Sequence, residues 1–137
     1  MTTTVKATDT ATWSIGTVAK GGIPAVLAAC AATMAVAAAG HAAGISLEAG
    51  GAPIPVAGFG FLTAVFSVIG LLLAVVLSRL ARHPRQAFIR TTVVLTALSL
   101  VPDAIADAGA STKALLMLTH LVAAAIVIPL VARRLPA

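Results

Sequence analysis

Two histidines and two aspartates lie in or beside long apolar segments of the sequence. They are His41, Asp103, Asp107 and His120. An imidazole and a carboxylate together relay a proton, bind a divalent metal or recognise a cationic ligand. Charged groups inside a membrane are costly unless they are paired or hydrated, so such residues are functional candidates by default. We therefore expect the four side chains to face one shared, water-accessible cavity in the outer half of a membrane.

Two other interpretations of these residues stay open at the level of sequence. In the first, Asp103 pairs locally with Lys113 and His120 makes a single hydrogen bond between helices. In the second, His41 and His120 ligate a haem or a metal from different helices. We predict no cofactor, because the sequence contains no established ligand motif.

The remaining chemistry in the chain is sparse. Cys30 is the single cysteine and lies in an apolar run, where a free thiol behaves as a small hydrophobic side chain. The sequence has no Gly-rich phosphate loop, no HExxH motif and no Ser/His/Asp set. We therefore expect a protein that is not an enzyme.

Composition identifies the solvent that surrounds most of this chain. Of 137 residues, 60% are hydrophobic and only 9% are charged. A soluble domain of this size could not bury so much apolar surface, whereas a bilayer can solvate it. The net charge of +5 comes from short basic segments without interleaved aromatic residues, which argues against nucleic-acid binding.

Four apolar runs predict an all-α membrane protein with four transmembrane helices in an antiparallel bundle. The expected helices cover about 23–44, 57–80, 88–107 and 112–132, within a transmembrane domain of residues 15–135. Residues 1–14 are expected to form a disordered tail. A cleavable signal peptide is the alternative for the first run, but that run is longer than a typical signal core. Residues 44–56 read as a loop, and the sequence leaves open whether it re-enters the membrane.

The distribution of basic residues predicts the orientation. With the N-terminus in the cytoplasm, eight basic residues fall on the inner side and Lys113 alone falls outside. The inner eight are Lys6, Lys20, Arg79, Arg82, Arg85, Arg90, Arg133 and Arg134. Cytoplasmic loops are rich in lysine and arginine, so both termini are expected in the cytoplasm of a multi-pass protein of the cell membrane.

Small side chains indicate where the helices pack. The second predicted helix carries small residues at a spacing of 3, 4, 3 and 4: Gly60, Thr63, Ser67, Gly70 and Ala74. Such a stripe allows close approach of helix backbones in lipid. The first helix is small nearly all round, so we expect it at the centre of the bundle or at a subunit contact. The third carries Thr92, Thr96, Ser99 and Asp103 on one face.

Several motifs occur in an order that resembles a known group. They are the Ala-rich first helix, APIPVAGFG before the second helix, the RHPRQAF connector, TALSLVPD in the third helix and His120 in the fourth. This order resembles small four-helix membrane proteins of high-GC Gram-positive bacteria that carry a domain of unknown function. The resemblance covers residues 15–135 and implies a four-helix membrane fold without implying an activity.

The expected function is that of a non-enzymatic accessory or oligomeric membrane component. Its expected partners are the lipid bilayer and either further copies of the chain or another membrane protein. The main alternative is a proton- or ion-coupled transporter or channel that uses Asp103 and His120. The third is the haem or metal protein described above.

Overall fold

The computed structural model describes residues 15–137 and contains four long helices. They are α1 (Ile15–Ala42), α2 (Val56–Leu80), α3 (Pro84–Ile105) and α4 (Ala110–Ala132). All four are long and apolar enough to cross a membrane. The chain is therefore an all-helical protein with the features of a multi-pass membrane protein. The expected tail at residues 1–14 lies outside the described residues.

The helix ends follow local capping signals rather than the limits of the apolar runs. α1 is described from Ile15, which precedes its apolar run, and it ends at Ala42, shortly before Gly44, which adopts a φ of +86°. The Ile45 N–H donates to the Gly40 carbonyl and the Gly44 N–H to the His41 carbonyl, both at 3.0 Å. This pair of bonds is a Schellman motif, which glycine in the left-handed region allows.

α3 begins four residues earlier than the apolar pattern suggested. Pro84 occupies its first turn, where the missing N–H and the fixed φ of proline suit a helix start. The connector from α2 is therefore only residues 81–83. At the far end α3 stops at Ile105, and residues 106–109 lead to α4.

The segment between α1 and α2 contains a short hairpin. Strand β1 (Glu48–Ala49) pairs antiparallel with β2 (Ala52–Pro53), and Gly50 and Gly51 form the turn with φ of +59° and +74°. Two consecutive residues with positive φ are the requirement of a tight two-residue hairpin turn.

α1 packs extensively against α2 and α4, which also contact each other and α3. Its buried face is made almost entirely of small residues: Val18, Gly21, Gly22, Ala25, Ala29, Thr33, Ala37 and Gly40. At Gly40 an added Cβ would lie 2.9 Å from both methyl groups of the buried Leu115 of α4. Small residues thus permit the close approach on which helix association in lipid depends.

Two apolar clusters hold the bundle near its two ends. One contains Val18, Ala29, Ala74, Phe88, Val127, Val131, Ala132 and Leu135, and the other contains Ala37, Leu47, Phe59 and Leu115. Of the small-residue stripe on α2, Gly60, Ser67 and Ala74 are buried. Gly70 differs, because nothing lies within 4 Å of the position that its Cβ would occupy.

Candidate functional site

Asp103 of α3 and His120 of α4 meet at the contact between these helices. The Nδ1 atom of His120 lies 2.8 Å from Oδ2 of Asp103, and this is the ion pair found among residues 15–137. The Asp103 side chain is 13% exposed and the His120 side chain 35%. The structure therefore pairs Asp103 with His120 and not with Lys113.

The imidazole also faces a backbone carbonyl. Nδ1 lies 3.0 Å from the carbonyl oxygen of Leu116, one turn earlier in α4. Both neighbours of Nδ1 are hydrogen-bond acceptors, so this nitrogen carries the proton. The buried Oδ2 atom of Asp103 has no hydrogen bond of acceptable geometry within the described chain. The N–H bond is thus directed at Leu116, and the Asp103 contact is mainly electrostatic.

His41 and Asp107 lie elsewhere. His41 is exposed near the end of α1 and lines a cavity of about 450 Å³ with Glu48 and the proline-containing segment before α2. Asp107 lies after α3, and its backbone carbonyl accepts a 2.8 Å hydrogen bond from the Gly50 N–H of the hairpin. Of the four candidate residues, the structure brings Asp103 and His120 into contact.

His120 lines a different cavity, bordered by α2, α3 and α4, with a volume of about 260 Å³. Most of its wall is apolar, and hydroxyl groups from all three helices interrupt that wall. The hydroxyl stripe predicted on α3 contributes Thr92, Thr96 and Ser99. The apolar walls and the few polar groups together resemble a small-molecule site.

Sequence inspection did not identify the hydroxyl groups of α2 and α4 in this wall as site residues, although it did identify His120. Ser67 was assigned to helix packing, and Thr119 was not singled out at all. The position of Thr119 beside His120 was the available signal, because adjacent residues on a helix point about 100° apart and both can border one wide cavity.

The contact between α1 and α2 carries a second set of polar interactions. Cys30 Sγ donates to the Gly60 carbonyl oxygen at 3.3 Å, and the hydroxyl oxygens of Thr33 and Thr63 are 3.0 Å apart. These contacts join the two helices where Gly60 allows close approach. Cys30 therefore lies at a helix contact rather than in a reactive setting.

Metal and haem ligation require converging side chains. Within residues 15–137, no group of three or more His, Cys, Asp or Glu residues has the spacing of a metal site. His41 and His120, the ligands of the haem interpretation, line separate cavities. The geometry thus favours the Asp103–His120 pair and its cavity as the candidate site.

Comparison with protein-family models identifies the family to which this four-helix chain belongs. The model of a family of unknown function, DUF6069, matches residues 14–137. The chain belongs to the DUF6069 family. The match covers the four helices, the hairpin and both members of the ion pair. Comparisons with curated proteins and with solved structures gave no match to this DUF6069 protein.

We expect Asp103 and His120 to be energetically coupled. Removing either partner leaves the other without its polar neighbour in a low-dielectric setting, so Asp103→Ala and His120→Ala should each destabilise the fold. The coupling energy from a double-mutant cycle should be about 0.5–3 kcal/mol, the range for residues in direct contact. Reversible unfolding in mixed micelles measures it.

A cycle that pairs Asp103→Ala with His41→Ala is the matched control. It should give a coupling energy near zero, because His41 lines the other cavity. Equal coupling in the two cycles would contradict the specific Asp103–His120 interaction.

Proposed function

We propose that this DUF6069 protein is a non-enzymatic component of the bacterial cell membrane that works by associating with further copies of itself or with a partner membrane protein. The observation that carries the proposal is the unused face of α1. One face of α1 packs on α2 and α4, yet alanines on the other face are exposed: Ala28, Ala31, Ala35, Ala38 and Ala39. Such a face lets another helix approach closely in lipid.

Hydroxyl chemistry near His120 supports the non-enzymatic assignment. A nucleophilic hydroxyl would have to donate its proton to an imidazole nitrogen. The Ser99 hydroxyl donates instead to the Thr96 carbonyl oxygen, and the Thr119 hydroxyl to the Leu116 carbonyl oxygen, both at 2.7 Å. Neither hydroxyl is activated by His120.

An antiparallel bundle with both termini in the cytoplasm is part of the proposal. The Arg134 side chain at the end of α4 packs on Gly21 near the start of α1, and the Arg85 N–H at the start of α3 donates to the Pro136 carbonyl at 3.1 Å. These contacts support one basic bundle end, where α1 and α3 begin and α4 finishes. Arg79 and Arg82 follow from the end of α2, and lysine and arginine favour the cytoplasmic face.

Cysteine labelling in a Cys30→Ala background tests the orientation. Glu48→Cys lies in the hairpin and Arg82→Cys in the connector after α2, and both positions are exposed. A membrane-impermeant maleimide should label Glu48→Cys in intact cells and Arg82→Cys only after permeabilisation. The reverse pattern would overturn the proposed topology.

Association through α1 is tested by a pair of matched substitutions. Ala35→Leu enlarges the exposed face of α1, whereas Ala97→Leu makes the same change on the exposed face of α3. Multi-angle light scattering of the detergent-purified protein should show assemblies larger than the 13.6 kDa chain, or a co-purified polypeptide. Ala35→Leu should reduce that assembly and Ala97→Leu should leave it intact. A monomer without a partner would contradict the proposal.

The second candidate function is proton- or ion-coupled transport through Asp103 and His120. It is favoured by one observation: Asp103 Oδ2 is buried in an apolar helix contact without a hydrogen bond from the described residues. Buried acids that face polar partners inside membrane proteins mark ion and proton pathways.

Flux through proteoliposomes distinguishes the transport candidate from the leading proposal. Under the transport candidate, an imposed pH gradient should collapse faster with the wild-type protein than with Asp103→Asn, and His41→Ala should behave as wild type. Under the leading proposal, all three preparations should match protein-free liposomes. A fluorescent pH indicator inside the vesicles measures the rate.

A further inference from the structure

The cavity among α2, α3 and α4 opens toward lipid rather than toward water. Three of its lining side chains, Leu62 and Phe66 of α2 and Leu95 of α3, are also 50–61% exposed. These residues lie within the apolar stretches of their helices, so the exposed surface between α2 and α3 faces hydrocarbon. A molecule dissolved in the bilayer can therefore enter from the side.

The size of the cavity sets the size of its occupant. A cavity of roughly 150 Å³ lined by apolar side chains accommodates benzene. The cavity here, at about 260 Å³, is large enough for a body of about two fused rings. A longer apolar tail could continue between α2 and α3 into the lipid.

The hydroxyl groups of α3 face the cavity as hydrogen-bond acceptors. The Thr92 hydroxyl donates to the Phe88 carbonyl at 2.7 Å and the Thr96 hydroxyl to the Thr92 carbonyl at 2.8 Å. Ser99 donates to the Thr96 carbonyl in the same way. Each hydroxyl has one hydrogen, so the oxygen atoms offer only lone pairs to an occupant.

The same reasoning applies to Thr63 of α2. The Thr33 hydroxyl donates to the Cys30 carbonyl at 3.1 Å, so in the Thr33–Thr63 contact the hydrogen must come from Thr63. Thr63, which also lines the cavity, then offers only lone pairs. Acceptors thus line the cavity on both α2 and α3.

His120 supplies a further acceptor. Its Nδ1 carries hydrogen, because that atom lies between the Leu116 carbonyl and the Asp103 carboxylate. In the neutral imidazole the other nitrogen, Nε2, is then an acceptor. Nε2 makes no hydrogen bond or ion pair with any residue in the described part of the chain.

We propose that this cavity binds an uncharged, lipid-soluble alcohol or phenol, with an apolar body of about two rings and a hydroxyl group that donates to His120 or to the hydroxyl oxygens of α3. The preference for a donor follows from the acceptors at Thr63, the α3 hydroxyls and His120, which outnumber the Ser67 hydroxyl as a possible donor to the occupant. The absence of charge follows from the lining, which contains no lysine, arginine, aspartate or glutamate. The inference is independent of whether the protein associates through α1.

Two probes of matched size isolate the hydrogen-bond donor. 1-Naphthol carries an O–H group, whereas 1-methoxynaphthalene carries the same oxygen without the hydrogen. The protein is reconstituted in phosphatidylcholine nanodiscs, and each probe is compared at equal mole fraction in the lipid. The ¹⁵N resonance of His120 Nε2 and the backbone amides of the cavity helices report binding.

We expect 1-naphthol to bind about tenfold more tightly than 1-methoxynaphthalene, the ratio given by one net hydrogen bond. Only 1-naphthol should move the His120 Nε2 resonance in the direction of an accepted hydrogen bond. Equal affinity for the two probes would show a merely apolar cavity that acyl chains can fill, and would overturn the proposal. So would a failure of 1-naphthol to bind.

A cavity-filling substitution locates the site. Gly70 lines the cavity and its Cβ would meet no atom within 4 Å, so Gly70→Leu should fill the space without disturbing the helix contacts. It should abolish 1-naphthol binding, whereas Ala97→Leu on the exposed face of α3 should leave binding unchanged. Unchanged binding in Gly70→Leu would contradict the location.

His120→Phe tests whether His120 accepts the hydrogen bond from the occupant, because phenylalanine has a flat ring but no ring nitrogen. This variant should retain binding of both probes but reduce the preference for 1-naphthol toward unity. Gly70→Leu leaves the ion pair intact, so it decides the location even where His120→Phe folds poorly. A full tenfold preference in folded His120→Phe would exclude His120 as the acceptor and overturn its assigned role.

Discussion

The structure depends on one constraint: hydrocarbon offers no hydrogen-bond partners, so each polar group in the helices must find its partner within the protein. The serine and threonine side chains of α3 meet this constraint by donating to carbonyls of their own helix. The carboxylate of Asp103 has no such local solution: it lies 2.8 Å from the imidazole of His120 but accepts no hydrogen bond at Oδ2 from the described residues. The hydroxyl groups of α3 have already donated their single hydrogen, so they present only oxygen lone pairs to a molecule in the cavity.

The same environment explains why the four helices contribute unequally to the bundle. Apolar side chains gain little by leaving lipid for protein, so close contact between small residues decides which helices pack. α1 has small residues along its buried face and packs extensively on α2 and α4. α3 buries only Pro84 and Phe88, both near its start, and reaches α4 again through Asp103. The half-buried hydroxyl-bearing residues Thr92, Thr96 and Ser99 lie between Phe88 and Asp103 in the sequence and line the cavity.

The sequence predicted the number of helices because hydrocarbon thickness imposes a length of apolar chain that composition reveals directly. It could also single out Asp103 and His120, since each is a polar residue within an apolar run. It could not place His41, because α1 is small nearly all round and offers no contrast between faces. In the structure Gly40 is buried, and His41, about 100° further round the helix, is exposed. Helix ends were also shifted, because Pro84 and Gly44 act through backbone geometry rather than hydrophobicity.

The position of the ion pair along the two helices accounts for the hairpin. Asp103 lies two residues before the end of α3, whereas ten residues of α4 precede His120. α4 therefore extends beyond α3 by about eight residues, or about 12 Å at a rise of about 1.5 Å per residue. The segment between α1 and α2 covers that projecting part: Thr112 of α4 donates to the Ser46 carbonyl, and Gly50 donates to the Asp107 carbonyl. The hairpin thus covers the bundle end nearest the ion pair, and the side of the cavity beside His120 is bordered by the exposed side chains of Leu62, Phe66 and Leu95.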